Sequence, residues 1–73
     1  MTIVATMEIG ARIAHQRGLL GWTQTKLAAR IGVTVSAVSL WEAGETMPRR
    51  DRLAKIAKVL GCDVYVLIAG MFA

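Results

Sequence analysis

The positively charged residues of this sequence are grouped in a way that could bind an anion. Arg49, Arg50 and Arg52 follow the single proline, Pro48, and Lys26 precedes Arg30 by four residues. Nine Lys and Arg against five Asp and Glu give a formal net charge of +4 and a pI near 10.0. This balance suggests an anionic partner, nucleic acid or an anionic membrane surface, and leaves the choice between the two open.

Residues that act as nucleophiles, bases or metal ligands are scarce. The chain has one histidine, His15, and one cysteine, Cys62, so it forms no internal disulfide and lacks the ligands of a structural zinc site. No paired carboxylates or activated nucleophile are recognisable. We therefore expect no enzymatic activity, no metal and no cofactor.

The length of the chain restricts it to one small domain. It has 73 residues, 55% of them hydrophobic, which suffices for a single core over residues 1–73. The most apolar stretch, residues 64–73, is roughly half as long as a membrane-spanning helix, and the first seven residues do not resemble a secretory signal. We expect a cytoplasmic protein without membrane association, with residues 1–6 as a flexible N-terminal arm.

Apolar spacing and glycine positions predict an all-α fold, a compact bundle of five helices. Threonines precede the second and third helices as N-caps, and glycines follow most of the helices, as expected for C-terminal stops. Alternation with a period of two residues is not convincing, so strands are not expected. Four predicted helices cover residues 7–20, 24–31, 34–43 and 64–69, and the fourth in chain order has Asp51 in its first turn and Lys58 in its last and ends at Gly61.

The second and third helices have the spacing of a helix-turn-helix motif. Ala28 lies four residues before Gly32, and Val38 lies six residues after it. A small side chain lets two helices cross closely, and glycine accepts the positive φ of a tight turn. The branched residue then wedges the second helix of the pair against the first.

A larger set of motif residues, between residues 8 and 70, resembles the lambdoid phage repressors and Cro proteins, also called the XRE family. The matching residues are Thr23-Gln24, Leu27-Ala28, Gly32-Val33-Thr34, Val38-Ser39, Trp41-Glu42, Gly44, Pro48, Leu53, Ile56-Ala57, Leu60-Gly61 and Leu67-Ile68. The resemblance implies a lambda-repressor-like domain and a transcriptional regulator, in the first instance a repressor. Such a protein binds a two-fold symmetric operator in double-stranded DNA as a homodimer, with helix 34–43 in the major groove.

The same resemblance assigns roles to individual residues. The third helix has no Gln, Asn, Arg or Lys in its first six residues, so it cannot read guanine or adenine through bidentate hydrogen bonds. Thymine-methyl contacts, hydroxyl contacts and DNA shape remain as means of readout. The expected base contacts are Val35, Ser36, Ser39 and Leu40, and the expected phosphate contacts are Thr23, Gln24, Lys26, Thr34, Arg49 and Arg50.

Two structural assignments complete the resemblance. Arg17, late in the first helix, is expected to pair with Glu42 and so to tie that helix to the end of the third. The last helix is expected to supply the dimer contact. Its candidate interface residues are Val66, Leu67, Met71 and Phe72.

Some alternatives stay open at this level. A protein-interaction module such as an antitoxin, built on the same fold, would also explain an apolar third helix and an apolar C-terminus. Its partner would then be a protein of a toxin–antitoxin or larger repressor system. Lys26, Arg30, Lys55 and Lys58 could also form nothing more than a solvated surface.

Overall fold

The computed structural model describes the backbone of residues 3–68 and the side chains of residues 8–68. This part of the chain contains only helices, with no strand, as the sequence predicts. The five helices are α1 (Ile3–Leu19), α2 (Gln24–Ile31), α3 (Val35–Glu42), α4 (Arg50–Leu60) and α5 (Val64–Ile68).

Helix α1 begins earlier than the sequence analysis predicted. It starts at Ile3 rather than near residue 7, so residues 3–6, assigned there to a flexible arm, belong to the helix. Residues 3–7 contain neither glycine nor proline, and nothing in them prevents the helix from extending toward the N-terminus. The first two residues of the predicted arm lie outside the described residues, as does residue 69 of the fifth helix.

Threonine caps fix where α2 and α3 begin. The Thr23 hydroxyl accepts a hydrogen bond from the backbone N–H of Lys26, and the Thr34 hydroxyl accepts one from Ala37, both at 3.1 Å. Helix α2 ends at Gly32, whose φ of 88° lies in the left-handed region that glycine adopts without strain. Nearby residues therefore set the start of both helices and the end of α2.

The core lies where all five helices meet. Helix α1 packs mainly on α3 and α5, and α4 closes the core against α2 and α5. Each helix contributes at least one apolar side chain that is almost fully buried. These core residues are Ile9, Ile13, Leu27, Ala28, Ile31, Val38, Trp41, Leu53, Ile56, Ala57, Leu60 and Leu67.

One close helix crossing depends on Gly10 of α1. A Cβ atom at this position would collide with the backbone carbonyl oxygen of Trp41 in α3. The two helix backbones therefore touch directly, and only glycine fits between them. This crossing holds α3, and with it the helix-turn-helix pair, against α1.

Candidate nucleic-acid interface

The helix-turn-helix pair forms as its spacing predicts. Gly32, Val33 and Thr34 connect α2 to α3, and the N–H groups of Gly32 and Val33 both donate to the carbonyl of Ala28. The Ala28 side chain is buried where the helices cross, and Val38 is fully buried beneath them. The turn therefore fixes the angle at which α3 is presented to the outside.

Helix α3 exposes the side that carries all four predicted base-contact residues. Val35, Ser36, Ser39 and Leu40 are exposed, and their spacing places them on one side of the helix. The opposite side carries the buried Val38 and Trp41. The exposed face thus offers two hydroxyl groups and two apolar side chains but no charge.

The N-terminal ends of α2 and α4 carry backbone N–H groups that have no partner within the helix, although Thr23 caps one of those of α2. Gln24 is the first residue of α2, and Arg50 is the first residue of α4. Arg49, the N-cap residue of α4, makes no side-chain capping hydrogen bond. The start of α4 therefore combines N–H donors without a helical partner, the positive end of the helix dipole and the two exposed arginines, with one exposed carboxylate, that of Asp51, in the same turn. The positive groups outnumber the carboxylate, which suits this end to an anion.

Arg17 and Glu42 form the ion pair that the resemblance implies. The Arg17 Nε atom donates to Glu42 Oε2 at 2.8 Å and Nη2 donates to Oε1 at 2.9 Å, so the pair is bidentate. Arg17 Nη1 also donates to the carbonyl of Trp22 at 2.7 Å. The hydrogen bonds to Glu42 raise the pKa of Arg17 above its ordinary value. The side chains of Arg17 and Glu42 are only 21% and 7% exposed.

Gln24 also takes part in this network, and its contact with Glu42 was not predicted from the sequence. Its Nε2 atom donates to Glu42 Oε1 at 3.0 Å, so Glu42 joins residues of α1 and α2 to the end of α3. The Nε2 atom of Gln24 carries a second hydrogen that this contact does not use. The signal that could have revealed the contact is a polar residue at the start of α2 beside a predicted buried carboxylate.

The cations of α2 lie against an aromatic ring. The Lys26 ammonium and the Arg30 guanidinium lie 5.3 and 5.2 Å from the centre of the Trp22 ring, which is within the range of cation–π attraction. The four-residue spacing of the two cations is visible in the sequence, whereas their contact with Trp22 was not predicted. Trp22 restrains both side chains on the outer surface of α2.

One of the predicted dimer residues needs correction. Leu67 is 0% exposed and lies in the core of the single chain, where α5 packs on α1 and α4, so it cannot form a dimer surface. Val66, 38% exposed, remains available, and Tyr65 beside it is 66% exposed. Met71 and Phe72 lie outside the described residues. The outer face of α5 is thus formed by Tyr65 and Val66.

Two other kinds of site are absent from the part of the chain that the structure describes. No helix there is long and apolar enough to cross a membrane. Within the same residues, His, Cys, Asp and Glu side chains form no group of three that could hold a metal ion.

Two short helices joined by a tight glycine turn, and held by three further helices, define a helix-turn-helix domain of the phage-repressor type. The chain belongs to the helix-turn-helix family, whose model matches residues 13–67. The resemblance to the XRE family is confirmed, because the relatives of this chain include repressors of phages.

Known relatives and structures support this assignment. RstR, a cryptic phage CTXphi transcriptional repressor from Vibrio cholerae, is 37% identical over 58 residues, covering 80% of this chain and 52% of the relative. Repressor protein C2 of Salmonella phage P22 is 35% identical over 89% of this chain and 30% of its own length. The crystal structure of the P22 c2 repressor with synthetic operator 9T matches at a TM-score of 0.79 and 35% identity, covering 85% of this chain and 94% of that one. The chain spans about half the length of RstR and less of the P22 protein.

Proposed function

We propose that this protein is a transcriptional repressor that binds a two-fold symmetric DNA operator as a homodimer in the cytoplasm, and that it is not an enzyme. The observation that carries the proposal is the exposed, uncharged face of α3, which the tight glycine turn presents on the outside of the helix-turn-helix pair. RstR and P22 C2 are both named as repressors, and P22 c2 has been crystallised with an operator. These relatives support carrying the role over to this chain.

In the proposed complex α3 lies in the major groove and the helix ends bind phosphates. Thr23, Gln24 and Lys26 at the start of α2 and Arg49 and Arg50 at the start of α4 contact the DNA backbone. Thr34 contributes from the cap of α3, because its hydroxyl accepts from Ala37 and still has its own hydrogen to donate. Such contacts orient the protein without reading sequence.

Selection of duplexes from a random pool at moderate salt tests this function directly. We expect a symmetric consensus with half-sites about one helical turn apart. Failure to enrich any sequence would favour the second candidate function, a protein-interaction module such as an antitoxin, which the exposed Val35 and Leu40 on α3 support. An apolar protein interface would also lack the steep loss of affinity with salt that phosphate contacts produce.

The phosphate contacts can be tested by their salt dependence. Replacing Arg49 or Arg50 by alanine should weaken binding to all duplexes alike and reduce the slope of log K against log salt by about 0.9 for each lost contact. Lys55→Ala is the matched control, because Lys55 is an exposed cation of α4 that we do not assign to a phosphate. Equal slopes for the Arg49, Arg50 and Lys55 variants would contradict the proposed contacts.

The apolar readout predicts a dependence on thymine methyl groups. If Val35 contacts such a methyl group, replacing thymine by uracil in the selected site should weaken binding, and the Val35→Ala variant should lose most of that discrimination. The measurement is a binding titration of both proteins with both duplexes. Unchanged binding of the unmutated protein to the uracil duplex would leave DNA shape as the means of readout.

The dimer contact is proposed to include Val66 and the neighbouring Tyr65. Val66→Asp should produce a folded monomer in sedimentation experiments, with operator binding weaker by about 100-fold or more because the two half-sites are no longer bound together. Leu19→Asp is the control, since Leu19 is an exposed aliphatic residue that lies at the end of α1 and not on α5. A Val66→Asp protein that sediments as a dimer would rule out this interface.

A further inference from the structure

A second basic surface lies in a groove between α2 and α4. The groove is open, has a volume of about 680 Å³ and is lined by Arg30, Ala54, Lys55, Lys58 and Val59. All three cations are exposed. Among the described residues the only ion pair joins Arg17 to Glu42, so no described carboxylate forms an ion pair with the three cations of the groove.

Two of the three cations lie apart from the helix end that we assign to DNA phosphates. Lys58 is in the last turn of α4, whereas the phosphate contacts of that helix are proposed for its start. Along α4 the distance from Arg50 to Lys58 is about 12 Å at the usual helical rise. Arg30 lies nearer to the proposed DNA surface, because it shares the Trp22 ring with Lys26. A duplex held at the N-terminal end of α4 therefore leaves Lys55 and Lys58 free for another anionic partner.

The lining of the groove favours a peptide over a nucleic acid. Between the cations lie the apolar side chains of Ala54 and Val59, and Val59 packs partly against the core. An acidic peptide segment carries both carboxylates for the cations and apolar side chains for this floor. Arg30 is also restrained by Trp22, which reduces the entropy lost when it pairs with a carboxylate.

We propose that this groove binds an acidic segment of a protein partner. Carboxylates of the segment pair with Arg30, Lys55 and Lys58, and an apolar side chain covers Ala54 and Val59. The protein would then hold DNA on one side and an acidic peptide on the other at the same time. This interaction would give the protein a second partner. It does not depend on the proposed binding of DNA.

The probe is a synthetic peptide of repeated Glu-Glu-Leu, with Gln-Gln-Leu as its matched control, titrated into the full chain and followed by NMR. We expect the acidic peptide to shift the backbone signals of Ala54, Lys55, Lys58 and Val59, and the control peptide to leave them unchanged. The double variant K55E/K58E should weaken binding of the acidic peptide by about tenfold or more. Arg12→Glu, a charge reversal outside the groove, should weaken it much less.

Three results would overturn the proposal. The first is equal binding of the Glu and Gln peptides, and the second is a set of shifts centred on α3 or on Arg49 and Arg50. The third is displacement of the bound peptide by a DNA duplex, which would make the groove part of the DNA surface. We expect duplex and peptide to bind together. If the duplex does not bind at all, the proposed function fails while the peptide result still decides the groove.

Discussion

Replacing Gly10 by alanine is expected to destabilise the protein by about 3 kcal/mol or more, at the upper end of the cost of overpacking a core. The added Cβ would collide with the carbonyl oxygen of Trp41 and lie 3.0 Å from its carbonyl carbon and 3.1 Å from the carbonyl oxygen of Glu42. All three are backbone atoms, so no change of rotamer relieves the contact. Helices α1 and α3 would have to move apart, and Arg17 would be drawn away from Glu42.

The measurement is urea or thermal unfolding followed by circular dichroism. A chain of this size is stable by only roughly 3 to 5 kcal/mol, so Gly10→Ala should be largely unfolded at room temperature. Gly18→Ala is the matched control on the same helix, because a Cβ at Gly18 meets nothing within 4 Å. It should stabilise the protein by up to about 1 kcal/mol through helix propensity. Equal stabilities of the two variants would mean that α1 and α3 do not touch at Gly10.

Much of the fold was predictable because local chemistry decides it. The threonine caps at Thr23 and Thr34 and the left-handed glycines at Gly32 and Gly61 depend only on nearby residues, and α2, α3 and α4 accordingly end within a residue or two of their predicted positions. The predicted base-contact residues are exposed for the same reason. Once the helix boundaries and the buried residues of α3 are known, its outer face follows.

The features that the sequence analysis missed depend on contacts between distant elements. Gly10 looks like punctuation until α1 and α3 are seen to cross there. The short α5 reads Val-Tyr-Val-Leu-Ile and has no polar side to indicate its rotation, so Leu67 was assigned to the outside although it is buried. The Gln24 contact with Glu42 likewise requires the relative positions of α2 and α3.

The network around Glu42 connects stability with the geometry of the proposed DNA contacts. Glu42 is the last residue of α3, and it receives hydrogen bonds from Arg17 of α1 and Gln24 of α2. The same carboxylate therefore fixes the end of α3 and the side chain at the start of α2. A change at this residue should affect both the folding of the chain and the position of Gln24 on the DNA.

Replacing Glu42 by alanine is accordingly expected to lower the free energy of unfolding by about 3 kcal/mol, near the lower limit for breaking a buried ion pair. The loss stays near that limit because Arg17 keeps its hydrogen bond to the Trp22 carbonyl and partial access to water. Glu42→Gln, which preserves shape and one acceptor, should cost about half as much. The measurement is denaturant unfolding of these two variants, of Arg17→Ala and of the double variant R17A/E42A. The loss in the double variant should be smaller than the sum of the losses in Arg17→Ala and Glu42→Ala. A loss below about 1 kcal/mol for Glu42→Ala, together with additive effects in the double variant, would mean that the pair behaves as a solvated one.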